Sequence, residues 1–268
     1  MEYRCYNRLS ADYNQLYMEN ITAFQSAMDM MCYEGTKYID FYPSFGVEKN
    51  EAVDFLVYGQ AVNGWSSSFT SNEVITKEKV ERSIEASNQM PEGIADCPLD
   101  WVNVMWSNES YQKIIGNKEL EELYTGNYRA NTSFFWNVVY KTVNKYYDYP
   151  SDSFSWAKKV VWSNLYKIAP DKANPTDAQQ LAQMPGAAML VLKELEEIKP
   201  RFCLVLTGES WWKPFRKHLG SSVKQRFKES ELVSLEQVGR TTVIVTDRRR
   251  TGDSEKYSKK INDCLGGN

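Results

Sequence analysis

Four short apolar runs with no alternation of polar and apolar residues constrain this chain more than any other feature. They are VDFLVYG (Val53 to Gly59), the Val160-Val161-Trp162 part of KKVVWSNLYKIAP, RFCLVLTG (Arg201 to Gly208) and RTTVIVTD (Arg240 to Asp247). A strand that is apolar on both sides must be covered on both sides. Helical stretches lie between consecutive runs, so the pattern predicts a parallel sheet flanked by helices. The expected fold class is α/β, a three-layer α/β/α sandwich with a central, mostly parallel four-stranded sheet. At 268 residues one core still suffices, which predicts a single domain over 1–268.

The helices follow from spacing. Leu16, Ile21, Phe24, Met28 and Met31 recur at helical intervals between Asp12 and Cys32, and Gly35 follows as a cap, giving an N-terminal helix. SFFWNVVYKTVNKYY places Phe134, Val138 and Val143 on one inward face. After Asn174-Pro175-Thr176 come two helical stretches split near Pro185-Gly186, the second ending at Pro200. ESWWKPFRKHLG reads as a short helix or turn, and a last helix covers Ser254 to Cys264. Residues 66–127 read as an irregular insertion carrying one polar surface helix, KEKVERSIEAS.

Several chemistries are excluded. Cys5, Cys32, Cys97, Cys203 and Cys264 are odd in number, scattered and never in a CxxC pair, against both a disulfide framework and a thiolate zinc site. His218 is the only histidine, which rules out multi-histidine metal sites and routes any Ser-His-Asp or Cys-His chemistry through one residue. No compact acidic cluster asks for magnesium, so no metal and no cofactor are expected. No run approaches the roughly 18 apolar residues of a membrane span, and MEYRCYNRLSADYNQ lacks the pattern of a signal peptide. The expectation is a cytoplasmic chain with no membrane partner. Charge is uneven: residues 201–268 carry 14 Lys and Arg against 8 Asp and Glu, and residues 1–200 carry 18 against 27. A basic C-terminal quarter is compatible with a phosphate-facing surface and equally with a solvated face.

In doubly wound sheets ligands bind outside the carboxyl ends of the strands. Those ends carry Gly59-Gln60, Ser163-Asn164, Thr207-Gly208 and Thr246-Asp247. In GQAVNGW (Gly59 to Trp65) a glycine at a strand end lets backbone approach a ligand and offers N–H donors, although neither GxGxxG nor GxxxxGK[ST] is present. The alternative is a tight Asn63-Gly64 turn with Trp65 as a lid over the core. Asn164, directly after an apolar run, has an amide that can read a base edge or can cap the next loop. Asp247-Arg248-Arg249-Arg250 sets one carboxylate beside three cations: a phosphate could meet the arginines while Asp247 positions water, or the four could form a surface ion-pair cluster. His218, among Lys213, Arg216 and Lys217, reads as a surface residue.

The succession of GQAVNGW, VVWSNLYKIAP, RFCLVLTGESW and VIVTDRRR resembles the uracil-DNA glycosylase superfamily, in particular its poorly characterised bacterial branch whose first motif ends in Asn-Gly-Trp. The resemblance spans most of residues 50–265 in element order, with sequence likeness confined to the strand-end motifs. It implies a parallel-sheet α/β sandwich acting on DNA or a nucleotide-like ligand. Gly59 and Gln60 would present donors to the base, Trp65 would line the site, and Asn164 would read the base. Thr246, Asp247 and Arg248 would lie over sugar and phosphate, with Arg249 and Arg250 as further phosphate contacts.

The chain departs from the family pattern at three points. Ala61 stands where the well-known branches have a water-activating Asp or Asn, Asp247 lies near the place of the usual His of the last motif, and Asn63 matches the Tyr that screens a base methyl. Cleavage of an N-glycosidic bond needs donors for the departing base and a group for water and sugar charge, which leaves Asp247 or Asn63 as catalytic candidates. Three readings result: a glycosylase acting on a damaged or deaminated base, a catalytically silent nucleic-acid or nucleotide binder on the same fold, and an unrelated small-molecule enzyme.

Overall fold

A computed structural model describes residues 6–31, 33, 35–62, 65–89, 97–103, 106, 128–150, 155–228, 230–247 and 252–266. The chain is an α/β fold. The four apolar runs form β3 (Phe55–Ala61), β5 (Val160–Tyr166), β7 (Phe202–Val205) and β10 (Thr241–Thr246), which adjoin in the order β5-β3-β7-β10, all parallel. They do not make up the whole sheet. It is mixed and seven-stranded, because β2 (Ser44–Phe45) adds antiparallel to β5, and the hairpin of β8 (Ser222–Arg226) and β9 (Leu232–Val238) adds antiparallel to β10. A separate three-stranded antiparallel sheet, β4-β1-β6, joins β1 (Lys37–Asp40), β4 (Ser68–Thr70) and β6 (Ile168–Pro170).

The extra strands escaped the apolar-run criterion for local reasons. β2 has two residues. β9 buries alternate positions, and two of them, Ser234 and Glu236, are polar. Glu236 is tolerated inside because Arg216 donates to it at 2.6 Å and Trp212, Ser221 and Ser234 add hydrogen bonds. Burial pushes that carboxyl up, but these donors outweigh it and hold it below its ordinary value. β8 is the exposed edge of the large sheet, and Lys224 and Arg226 with a register shift guard it against pairing with another chain.

Helices cover both faces. On β3 the Phe55 ring meets Tyr146 and Tyr147 of α4 (Phe134–Tyr147), while the Tyr58 hydroxyl, on the opposite face, donates to Glu194 of α5 (Asp177–Ile198). α1 (Ala11–Met30), capped by the Ser10 hydroxyl, packs on α5, and α4 packs on α7 (Ser254–Leu265). α2 (Lys77–Asn88), α3 (Asp100–Asn103) and α6 (Glu209–His218) complete the helices used below.

Two expectations are corrected. α5 is continuous through Pro185-Gly186, not split there; a Cβ on Gly186 would run into Asn20 of α1, so the glycine serves a close helix approach. The insertion of 66–127 contains β4, α2 and α3, and most of its remainder lies outside the described residues. α2 is the expected polar surface helix, with Lys77, Glu78, Glu81, Arg82 and Glu85 exposed, but its inward face is polar as well and buries Lys79, Ser83, Ser87 and Asn88.

The inward polar face of α2 belongs to one of two buried ion pairs. Lys79 meets Asp40 at 2.7 Å, with Ser67 and Ser83 bonded to the same carboxylate. Lys167 meets Glu194 at 2.7 Å, and Lys167 also donates to Ser163 and to the Asn164 carbonyl. Tyr13 and Tyr17, one turn apart on α1, donate to Glu194 and Asp40 respectively, so a single helix face engages both pairs. Burial and the Glu194 charge push the Tyr13 and Tyr58 hydroxyls well above their ordinary values, and burial, opposed by Glu194, lowers the Lys167 ammonium.

Candidate functional site

β3 and β5 pair with Gly59 opposite Asn164, near the carboxyl end of both strands. Partners in a parallel register project to the same face about 4.8 Å apart, and a glycine leaves that space empty. Asn164 uses it: a Cβ on residue 59 would collide with Asn164 Oδ1 and stand 3.8 Å from Nε1 of Trp162. Asn164 therefore lies within β5 instead of opening the following loop. It is 2% exposed, and among the described residues its Nδ2 has no hydrogen-bond partner. Nε1 of Trp162, two residues earlier on the same face, has none either. A buried donor without a partner costs about 1–3 kcal/mol. The position beside Gly59 is thus bordered by an acceptor, Asn164 Oδ1, and by the Trp162 indole donor, with the Asn164 Nδ2 donor on the same side chain.

The surroundings are aromatic. The Trp162 ring lies 4.5 Å from that of Phe41, 5.2 Å from Trp136, 5.3 Å from Trp65 and 5.9 Å from Trp101. Phe41 follows β1, Trp65 ends the GQAVNGW segment, Trp101 is on α3 and Trp136 on α4, so four separate parts of the chain fix one indole. Edge-to-face and tilted geometry dominates, as ring quadrupoles favour. Trp65 and Trp101 are only partly buried, which brings the cluster to the surface. Such a lining suits a flat heteroaromatic group held by ring contacts and oriented by a few polar atoms.

The other residues singled out from the sequence divide into three groups. Gln60 points to the opposite face from Asn164, where its Nε2 donates to the Thr207 carbonyl at 3.2 Å and its Oε1 accepts from Asn174 at 3.3 Å. It thereby bridges β3 to the second residue after β7, across the point where strand order reverses. Thr246 is buried at the end of β10 with Oγ1 3.5 Å from the Val205 carbonyl. Asp247 follows, half-buried, its backbone N–H bonded to the Glu231 carbonyl at 2.8 Å. All stand on the carboxyl side of the parallel strands. Asp247 nevertheless follows β10, three strand spacings from β5, a separation of about 14 Å from Asn164. Asn63, Arg248, Arg249 and Arg250 lie outside the described residues. His218 is exposed at the end of α6.

Phe41, Trp101, Trp136 and Trp162 were not singled out from the sequence. One signal was available. Six of the eight tryptophans fall between positions 65 and 162, and all six connect ring to ring in the structure. Among the described residues no group of three or more His, Cys, Asp or Glu is placed to hold a metal ion, and no helix is long and apolar enough to cross a membrane. No protein-family model matches the chain, and no curated protein matches its sequence.

Proposed function

We propose that this chain recognises a nucleobase, carried by DNA or by a nucleotide, between Gly59, Asn164 and the tryptophan cluster, on a three-layer sandwich of the uracil-DNA glycosylase kind. The observation that carries the reading is the Asn164 amide, buried at 2% exposure with Nδ2 unpartnered beside a residue that has no side chain. An amide on a strand is a stiffly held reader of a base edge, and the surrounding rings offer stacking surface. A base in a duplex would have to leave its stack to reach it, at a cost of a few kcal/mol.

A catalytically silent binder is the second reading, and two observations favour it. Ala61 stands where the resemblance places a water activator, and Asp247 follows β10, three strands away from the Asn164 strand. That separation still fits roles at opposite ends of one nucleotide, with Asp247 near the sugar.

The test is incubation of the protein with oligonucleotides carrying deoxyuridine, deoxyinosine or only undamaged bases. Binding is read by tryptophan fluorescence, and cleavage by the appearance of abasic sites. Preferential binding with abasic sites supports the glycosylase, and preferential binding without them the silent binder. Unchanged fluorescence with all three oligonucleotides overturns the base-recognition reading.

A further inference from the structure

We propose that the edge strand β8 and the adjoining side of α6 form a phosphate-binding strip, which takes the backbone of a nucleic-acid strand whose base enters beside Asn164. The choice of nucleic acid as the polyanion rests on the base-recognition reading of that site. The strip itself rests on charge and placement.

Residues 210–228 hold six Lys and Arg and no Asp or Glu, and they run through α6, the connection after it and β8. β8 is antiparallel to β9, and β9 to β10, so β8 runs with the parallel strands and ends on their carboxyl edge. Arg226 pairs with Ser234, which in turn pairs with Val245. The basic strand therefore shares an edge with Gly59 and Asn164. It stands five strand positions from β5, about 24 Å at sheet spacing. One nucleotide does not cover that distance, so a partner that touches both is a strand.

Two kinds of cation line the strip. Arg216 is held by Glu236 at 2.6 Å and by Glu209 at 2.7 Å, and Arg226 reaches Glu209 at 3.3 Å, which ties α6 to the hairpin. Lys213 lies four residues after Glu209 and three before Arg216, hence beside both on the helix surface, and Lys217 follows one turn on. Lys213, Lys217, Lys224 and Lys228 are all exposed, and among the described residues no ion pair holds them. Four ammonium groups without a local counter-charge suit a phosphate backbone, and flexible stems let them follow it without reading sequence.

Other uses of the charge fit less well. Lysine on an edge strand discourages pairing with another chain, but Lys213 and Lys217 are on a helix and guard no edge. Segments that lie on a membrane sink apolar side chains beside their cations, and Val223, 38% exposed, is the one exposed large hydrophobic of residues 210–228.

The experiment follows, across a salt series, the anisotropy of labelled single-stranded DNA of about 20 nucleotides carrying one deoxyuridine, one deoxyinosine or only undamaged bases. Combining Lys213→Gln, Lys217→Gln, Lys224→Gln and Lys228→Gln should weaken binding about tenfold or more and flatten the slope of log affinity on log salt by about 3, about 0.7 per lysine. The loss should be equal for all three oligonucleotides, because the strip touches no base. A control combining Lys37→Gln, Lys49→Gln, Lys77→Gln and Lys145→Gln, all exposed on other elements, should keep most of both affinity and slope. An unchanged slope in the strip variant, an equal loss in the control, or tighter binding of the wild type to phosphatidylserine vesicles than to the oligonucleotides overturns the inference. A wild type that binds all three oligonucleotides alike, with a slope that falls in the strip variant, keeps the strip and removes base recognition. A base preference with an unaltered slope does the reverse, and binding to none of the three overturns both.

Discussion

Gly59 and Asn164 face each other across two parallel strands, and the Asn164 amide fills the volume that any side chain at 59 would need. Gly59→Ala should displace that amide. The expected outcome is a loss of base affinity of about tenfold or more with a stability cost of about 1–3 kcal/mol, the usual range for an overpacked site. Titration with uracil and urea unfolding of the same variant measure the two effects; unaltered affinity would remove Asn164 from the base-reading role.

Asn164→Asp and Asp247→Asn should fail in different ways. The first replaces an amide donor with an acceptor and should change which base is bound. The second, about 14 Å away by strand spacing, should leave base binding within about threefold and, if abasic sites form at all, abolish their formation. Matched oligonucleotides carrying uracil, hypoxanthine or undamaged bases separate the two. Equal loss of binding in both variants would mean that Asp247 also touches the base.

The Lys167–Glu194 pair is fully buried, and Tyr13 and Tyr58 donate to the same carboxylate. Lys167→Met strands that carboxylate and should cost about 3–5 kcal/mol. Lys167→Met combined with Glu194→Gln removes both charges while keeping an acceptor for the tyrosines, and should cost less than Lys167→Met alone. Urea unfolding of the single and double variants checks the sign of this coupling.

Glu231 is held at about 2 by its ion pairs with Lys256 and Lys260 on α7, against an ordinary value of 4.5. A carboxyl whose value is depressed in the folded state contributes stability that is complete above its unfolded value and is lost as pH falls through the folded one. The contribution should therefore vanish between about pH 4.5 and pH 2. Unfolding measured across that window should show a shallower acid slope in Glu231→Gln than in the wild type. Parallel slopes would mean that the two lysines do not hold Glu231 in solution.

The sequence by itself determined the α/β class and the four parallel strands, because β3, β5, β7 and β10 are buried on both faces and local composition must show it. It also placed α1, through the apolar spacing of Leu16, Ile21, Phe24 and Met28, and the last helix near Ser254 to Cys264, although α1 is capped at Met31 and not at Gly35. Tertiary structure decided the rest. Pro185 and Gly186 read as a break, yet α5 runs through them because Gly186 admits Asn20 from a helix more than 160 residues earlier. β9 buries Ser234 and Glu236 because Arg216 arrives from α6 to satisfy them. The same reason hid the heart of the candidate site. Asn164 stood out as a polar residue after an apolar run, but whether its Nδ2 or the Trp162 indole has a partner depends on Phe41, Gly59, Trp65, Trp101 and Trp136. Hydrogen-bond satisfaction is a property of neighbours in space, and those neighbours come from four separate places along the chain.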